Sequence, residues 1–496
     1  MKKLIILLLV SVFSISLVAC SSNNDSTSQS EATSSANSVE SSVATSTEKS
    51  TVTSTQQEKP VSIEFVNNIK KYWVVGEQVN YNTLYGYLTL ENNPTRKFVN
   101  AKDFVIDNGG LDVSKTGVYH HTVSYPGLSE KLEFDIQILS KPIENNGVVT
   151  VKVDPEFKGE LASIDQSGAS CFTDISTALS IIKGCNFAPT VIKNIYLAPA
   201  TYKEKFNITA QETNVRLIGE DKTTTKISYD DCSDDAGGTD ASSTIIVAGS
   251  GFMVKNVTIE NGYDYLNGKD ANKQAVAMTC SSDGAVFYNC NFLGYQDTLQ
   301  PKSGRQYYKD CYIAGCTDFI FGNNATALFE NCEIKVLKKS NDNYVITAHK
   351  GNNGTNGKDI PAYGYVFKNC KLTAEAGVPD GSTSLGRPWR ADATVAYINC
   401  EMGAHISTKA FGNADGAISR YQSMSGGGLV NEPQNANFAE YGNTGAGAVS
   451  AQINNDFTLL ANADNYTYQN IFAKVNGMVT YNTDFDAQAI LTAFIG

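Results

Sequence analysis

Phe287-Tyr-Asn-Cys-Asn-Phe292, Tyr308-Lys-Asp-Cys-Tyr-Ile313 and Phe329-Glu-Asn-Cys-Glu-Ile334 are three copies of one short pattern, with cysteines 21 residues apart (311 minus 290, 332 minus 311). Phe367-Lys-Asn-Cys-Lys-Leu372 and Tyr397-Ile-Asn-Cys-Glu-Met402 repeat it after longer intervals, and Val254-Lys-Asn-Val-Thr-Ile259 puts Val257 in the Cys place. A repeat of 20 to 40 residues built on one short alternating strand cannot bury its apolar face alone, so its copies must stack. The spacing predicts an all-β fold, a right-handed parallel β-helix with Asn and Cys rows along one corner. Longer intervals mark turns carrying inserted loops. The same ruler puts Asp297, seven residues after Cys290, in phase with Asp318, seven after Cys311. Residues in phase on neighbouring turns lie one strand spacing apart, about 4.7–4.9 Å. Two carboxylates at about 5 Å and an effective dielectric near 20 repel by roughly 3 kcal/mol, so one is expected to hold a proton while the other stays ionised. Gln274 and Gln296, 22 residues apart, are near phase in the same way.

The chain of 496 residues changes character along its length. Lys2 and Lys3 precede an apolar run from Leu4 to Leu17, the layout of an export signal and short for a membrane span. Leu17-Val-Ala-Cys20 resembles the lipobox of bacterial lipoproteins, which implies cleavage before Cys20, lipidation of that residue and a protein held on the outer face of the cell membrane. Of the 39 residues from 21 to 59, 20 are Ser or Thr, too polar to form a core. They read as a tether with a reach on the order of 35 Å. Residues 60–140 alternate apolar and polar side chains, as in Leu132-Glu-Phe-Asp-Ile-Gln-Ile138, and resemble a bacterial immunoglobulin-like β-sandwich. Short Asn- and Gly-rich strands follow from 147 to 496, with a single helix expected over Cys171–Lys183 to cap the solenoid. Of the 11 cysteines, five belong to the repeat as small buried hydrophobes, and the rest show no Cys-x-x-Cys spacing, which predicts few or no disulfides. A formal net charge of −12 argues against nucleic acid as a partner.

Four segments carry the chemistry: Gln274-Ala-Val-Ala277, Gly294-Tyr-Gln-Asp-Thr-Leu299, Asp318-Phe-Ile-Phe-Gly322 and Leu385-Gly-Arg-Pro-Trp389. In this order and spacing they resemble the signature segments of pectin methylesterases, carbohydrate esterases on a right-handed β-helix. The resemblance implies Asp318 as nucleophile, Asp297 as the acid that turns base, Gln274 and Gln296 as oxyanion donors, Arg387 as the partner of Asp318 and Trp389 as a sugar platform. Tyr295, Phe319 and Phe321 flank these positions as further candidates for substrate contact. The implied substrate is methyl-esterified galacturonan (pectin), with no cofactor and no metal. The chain has Thr347-Ala-His349 where the family commonly has Thr-Ala-Gln.

Each piece has a plainer reading as well. Stacked glutamines form amide ladders, Gly386-Arg-Pro388 is compatible with a turn, and Trp389 with core. A β-helical galacturonan hydrolase or lyase is the rival enzyme, but Gly-His-Gly and Arg-Ile-Lys segments are missing from the sequence. A non-catalytic surface protein that grips polysaccharide is the alternative outside enzymes.

Overall fold

The computed structural model describes residues 59–351, 362–426 and 429–495. The expected export signal, Cys20 and the tether up to residue 58 lie outside them.

From Ile192 to Met402 the chain winds through three sheets in strict rotation. Ile192–Leu197 joins the first, Ala200–Tyr202 the second and Phe206–Ile208 the third, before Val215–Gly219 returns to the first. Among the described residues these sheets hold 13, 8 and 7 strands, and nearly all neighbours pair in parallel. This is the parallel β-helix that the repeat predicts.

The repeat is explained position by position. Phe287, Tyr308, Phe329, Phe367 and Tyr397 form one interior stack, with ring centroids 4.5, 4.6, 4.7 and 4.6 Å apart. Such offset rings add about 0.5–1.5 kcal/mol per pair beyond the area they bury. Two residues on, Asn256, Asn289, Asp310, Asn331, Asn369 and Asn399 all adopt left-handed backbone, with φ between 51° and 57°. That corner turns the chain from the first sheet to the second, and Asn or Asp tolerates it better than other residues with a side chain. The buried Cys thiols then donate to backbone carbonyls of the preceding turn: Cys311 to Phe287 and Cys332 to Tyr308, both at 3.5 Å. All ten described cysteines are free and buried.

The helix runs over Ile175–Cys185, later than the Cys171–Lys183 expected. Cys171 and Phe172 belong to the strand Ser170–Phe172, and Asp174 caps the helix by accepting from the Thr177 amide at 2.7 Å. The Glu204 carboxylate takes the amides of Ile175 and Ser176 at 2.9 and 2.8 Å. Ile175, Ala178, Leu179, Ile181 and Ile182 enter the main core.

The C-terminal stretch also differs from the continuous strands expected. Helices Tyr468–Ile471 and Ala487–Ile495 occur there, and Ile471, Phe472, Phe485, Leu491 and Phe494 cluster with Val286, Tyr307, Leu328 and Val366 of the first sheet. The sheet exposes apolar side chains on both faces, so its outer face needs a cover. Buried Arg305 fastens that cover, reaching Asp283 with two nitrogens at 2.9 and 2.7 Å and the carbonyls of Phe472 and Thr483 at 3.1 and 2.7 Å.

Ahead of the solenoid, between Pro60 and Leu139, lie two small sheets. One has three antiparallel strands, and the other four, with Tyr72–Val74 running parallel to Lys131–Leu139. Each has its own apolar cluster, around Leu88 and Val99 in one and around Trp73, Ile136 and Ile138 in the other.

Candidate active site

The third sheet of the solenoid carries the site, and the two aspartates interrupt its regular backbone. Asp297 and Asp318 have φ of 63° and 49°, in the left-handed region. Around Asp318 the pairing slips: Thr317 faces Val345 but Ile320 faces Thr347, so the aspartate strand has one residue more than its neighbour. A bulge of this kind re-aims a side chain that plain alternation would send elsewhere. The preceding turn carries the matching kink, because Gln296 bridges Thr317 and Leu299 pairs with Ile320, both 21 residues apart. The Asp297 amide donates to the Thr317 carbonyl at 3.1 Å, which keeps the two aspartates on adjacent turns in phase.

Their surroundings then separate them. Arg387 grips Asp318 with both ends of its fork, Nε to Oδ1 at 2.8 Å and Nη2 to Oδ2 at 2.5 Å. A planar bidentate pair fixes the orientation of the carboxylate and favours its charge. Among the described residues Asp297 has no such partner. Burial first, and the charge of Asp318 second, push its carboxyl well above the usual range, with Arg387 opposing. Burial and the neighbouring negative charge thus favour a proton on Asp297.

Arg387 is delivered by the strand Thr383–Pro388, whose Ala348↔Arg387 pairing sets it one turn beyond Ala348. Gly386 is required beside it, since a Cβ there would lie 2.3 Å from the Thr347 hydroxyl, which donates to the Leu385 carbonyl at 2.9 Å. Gln274 and Gln296 lie on successive turns, with the Ala275 amide donating to the Gln296 carbonyl at 3.1 Å. They do not form an amide ladder: among the described residues the Gln274 Oε1 is buried without a partner. Both line a cleft of about 280 Å³ together with Asp297, Asp318, Arg387, Phe321 and Trp389.

The matching family model, described as Pectinesterase, covers residues 162–471, more than half of the chain. The chain belongs to the pectinesterase family. It is a carboxylic ester hydrolase. Among pectinesterase relatives, one from Petunia integrifolia is 31% identical over 319 residues, covering 61% of this chain and 82% of the relative. A probable pectinesterase A from Aspergillus niger is 36% identical over 282 residues, covering 55% and 76%. Solved pectin methylesterases share the solenoid: that of Yersinia enterocolitica at 29% identity and TM-score 0.52, covering 61% of this chain and 98% of that one, and that of Erwinia chrysanthemi at 26% and 0.53, covering 66% and 98%.

Within this pectinesterase, five of the expected site residues (Gln274, Gln296, Asp297, Asp318 and Arg387) meet in one cleft, with Trp389 and Phe321 on its wall. Phe321 and Trp389 rings lie 6.3 Å apart, and the Trp389 amide is held by the His349 carbonyl at 3.0 Å. Phe319 corrects the expectation of substrate contact. It is fully buried in the interior core, and the bulge at Asp318 turns it inward against Gly315, where any Cβ would come within 2.2 Å of it. Tyr295 sits outside the cleft lining, stacked on Tyr265 at 5.4 Å. His349 is also interior. Burial pushes its imidazole down to about 3, and its Nδ1 accepts from the Thr394 amide at 2.9 Å, so it shapes the backbone behind Trp389 and stays neutral.

Sequence reasoning missed Thr239, Asp240, Gln300, Ala348 and Met424 of the cleft. Gln300, three residues past Asp297 on the same turn, was within reach of the phase argument; its amide donates to Asp240 at 2.9 Å. Met424 comes from a hairpin that no repeat announces.

Proposed function

We propose that the enzyme hydrolyses the methyl esters of galacturonate residues in pectin, with Asp318 as nucleophile. The observation that carries this reading is the unequal pair: an aspartate clamped by Arg387 beside a buried one whose carboxyl burial pushes well above the usual range. An Asp318 oxygen attacks the ester carbonyl carbon, and the charge passes to the carbonyl oxygen. Gln274 and Gln296 donate amide N–H groups to it without altering the charge of the site. As the tetrahedral species collapses, the carbon–methoxy bond breaks and the Asp297 proton moves to the leaving oxygen, giving methanol and an acyl-enzyme. Water then loses a proton to Asp297 and adds to the acyl carbon, and the bond to Asp318 breaks. The product acid ionises to solvent, and Asp297 is again protonated. Trp389 and Phe321 offer aromatic faces to a sugar ring. Support for the polymer comes from the relatives, among them pectin methylesterases solved with hexasaccharides.

The same reading includes an immunoglobulin-like spacer over residues 60–140, preceding a catalytic β-helix from 147, and a lipid anchor at Cys20 that holds the enzyme at the outer cell surface. The two small sheets before Leu139 and the Leu17-Val-Ala-Cys20 segment support it.

Methanol release from methyl-esterified galacturonan, measured with a chelator present and alongside absorbance of unsaturated uronides, tests the reaction. Stoichiometric methanol and acid with no unsaturated product is the expected result. Chain cleavage without methanol contradicts it and returns the rival hydrolase or lyase.

A further inference from the structure

Next to the aspartate pair lies a cation that the mechanism above does not use. Lys339 stands on the connection between the strands Glu333–Val336 and Tyr344–His349, and its side chain turns inward until only 7% of the residue remains exposed. Its ammonium donates to the Thr317 hydroxyl at 2.6 Å and lies 5.3 Å from the centre of the Tyr344 ring. Among the described residues no carboxylate pairs with it. A buried ammonium without a counter-ion is costly and is usually paired or neutralised. Thr317 is the residue immediately before Asp318, its carbonyl receives the Asp297 amide, and it pairs with Gln296. A single hydroxyl thus ties Lys339 to the backbone on which both aspartates and one amide donor are hung.

We propose that Lys339 is a positioning residue for the esterase reaction, a second cation that acts with Arg387 on the negative charge of the Asp318 carboxylate and that pins the Thr317–Asp318 bulge through the Thr317 hydroxyl. This rests on the reading of Asp318 as nucleophile. The groups around it are consistent. The Cys316 thiol, the Asp318 carboxylate and the Arg387 guanidinium act on Lys339 electrostatically, the first two favouring its charge and the third opposing it. Burial is the largest influence and lowers the Lys339 ammonium from the usual lysine value. Asp318 in turn faces Arg387, Asp297 and Lys339. Arg387 alone orients the carboxylate, but it also draws Asp297 toward ionisation.

The test is the pH profile of kcat/KM for methanol release, whose acid limb reports the lower apparent pKa of the aspartate pair in the free enzyme. Lys339→Gln keeps a hydrogen-bond donor toward Thr317 and removes the charge. Removing a neighbouring cation disfavours ionisation, so the acid limb is expected to move to higher pH by about half to one unit. Lys339→Arg, which keeps the charge, is expected to leave it near the parental position. A merely structural lysine would lower activity evenly across pH in both variants. An unmoved acid limb in Lys339→Gln overturns the proposal, whatever the loss of rate, as does an equal shift in Lys339→Arg. Should Lys339→Gln fold poorly, Lys339→Met is read in the same way on the soluble fraction, with Thr317→Val separating the hydroxyl tether from the charge: the limb is expected to move less in Thr317→Val than in either charge-removing variant, and an equal movement overturns the electrostatic part. Asp318→Asn is run in parallel. Its inactivity with an unmoved Lys339→Gln limb removes the Lys339 role alone, whereas turnover in Asp318→Asn removes both.

Discussion

Asp318→Asn is expected to slow methanol release by about 10⁴-fold or more while leaving the protein folded. The amide has nearly the shape of the carboxylate, so one oxygen can still accept from Arg387, but it cannot form the acyl bond. What is lost in stability is one of two hydrogen bonds in a pair whose arginine side chain is 26% exposed, about 1 kcal/mol. A kcat collapse with a urea midpoint moved only slightly is therefore the expected combination. Substantial turnover in this variant would show that the nucleophile is elsewhere, with Asp297 or a directly attacking water as the first alternatives. If the chain instead gripped polysaccharide without altering it, the substitution would leave binding intact and there would be no turnover to lose.

Asp297→Asn is expected to lower kcat by about 10²–10⁴-fold, the usual contribution of a general acid and base. Its pH behaviour is the more informative readout. Asp297 must be protonated for the first step, and its carboxyl is raised by burial and by the Asp318 charge, so parental activity should fall as pH rises through that value. The substitution removes this alkaline limb. Stability carries an independent sign. A carboxyl whose folded value lies above its unfolded value contributes stability that is present at low pH and lost as pH rises through the folded value. Asp297→Asn should therefore be near neutral in stability at acid pH and increasingly stabilising above it, measured as the shift in urea midpoint at constant slope. A variant destabilised at every pH would mean that Asp297 has a structural role instead.

The repeat made much of this molecule legible. The 21-residue period set the winding, and residue identities at the corner had one reason each: aromatics stacked inside, Asn for left-handed backbone, Cys for a small buried thiol that bonds the turn before. Because phase along a solenoid is distance in space, the same period also brought Asp297, Asp318, Gln274 and Gln296 together. Phe319 shows where phase arguments stop. Alternation alone would send Phe319 and Phe321 to the same face, and the extra residue at the Asp318 bulge parts them, Phe319 into the interior and Phe321 to the cleft. The C-terminal helices were hidden for a different reason: they cover the outer face of a sheet, a requirement set by side chains hundreds of residues earlier. Lys339 lies on an insertion between strands, outside the repeat, and its meaning depends on which backbone it reaches.

In the proposed reaction the buried Asp297, its carboxyl raised by burial and by the charge of Asp318 on the adjacent turn, carries the proton that leaves with methanol. Infrared difference spectroscopy of parent minus Asp297→Asn near neutral pH tests it most directly. The expected result is a protonated-carboxyl stretch contributed by the parent, persisting well above the pH at which ordinary carboxyls ionise and unaffected by chelator. A difference spectrum containing only ionised-carboxylate bands would contradict it.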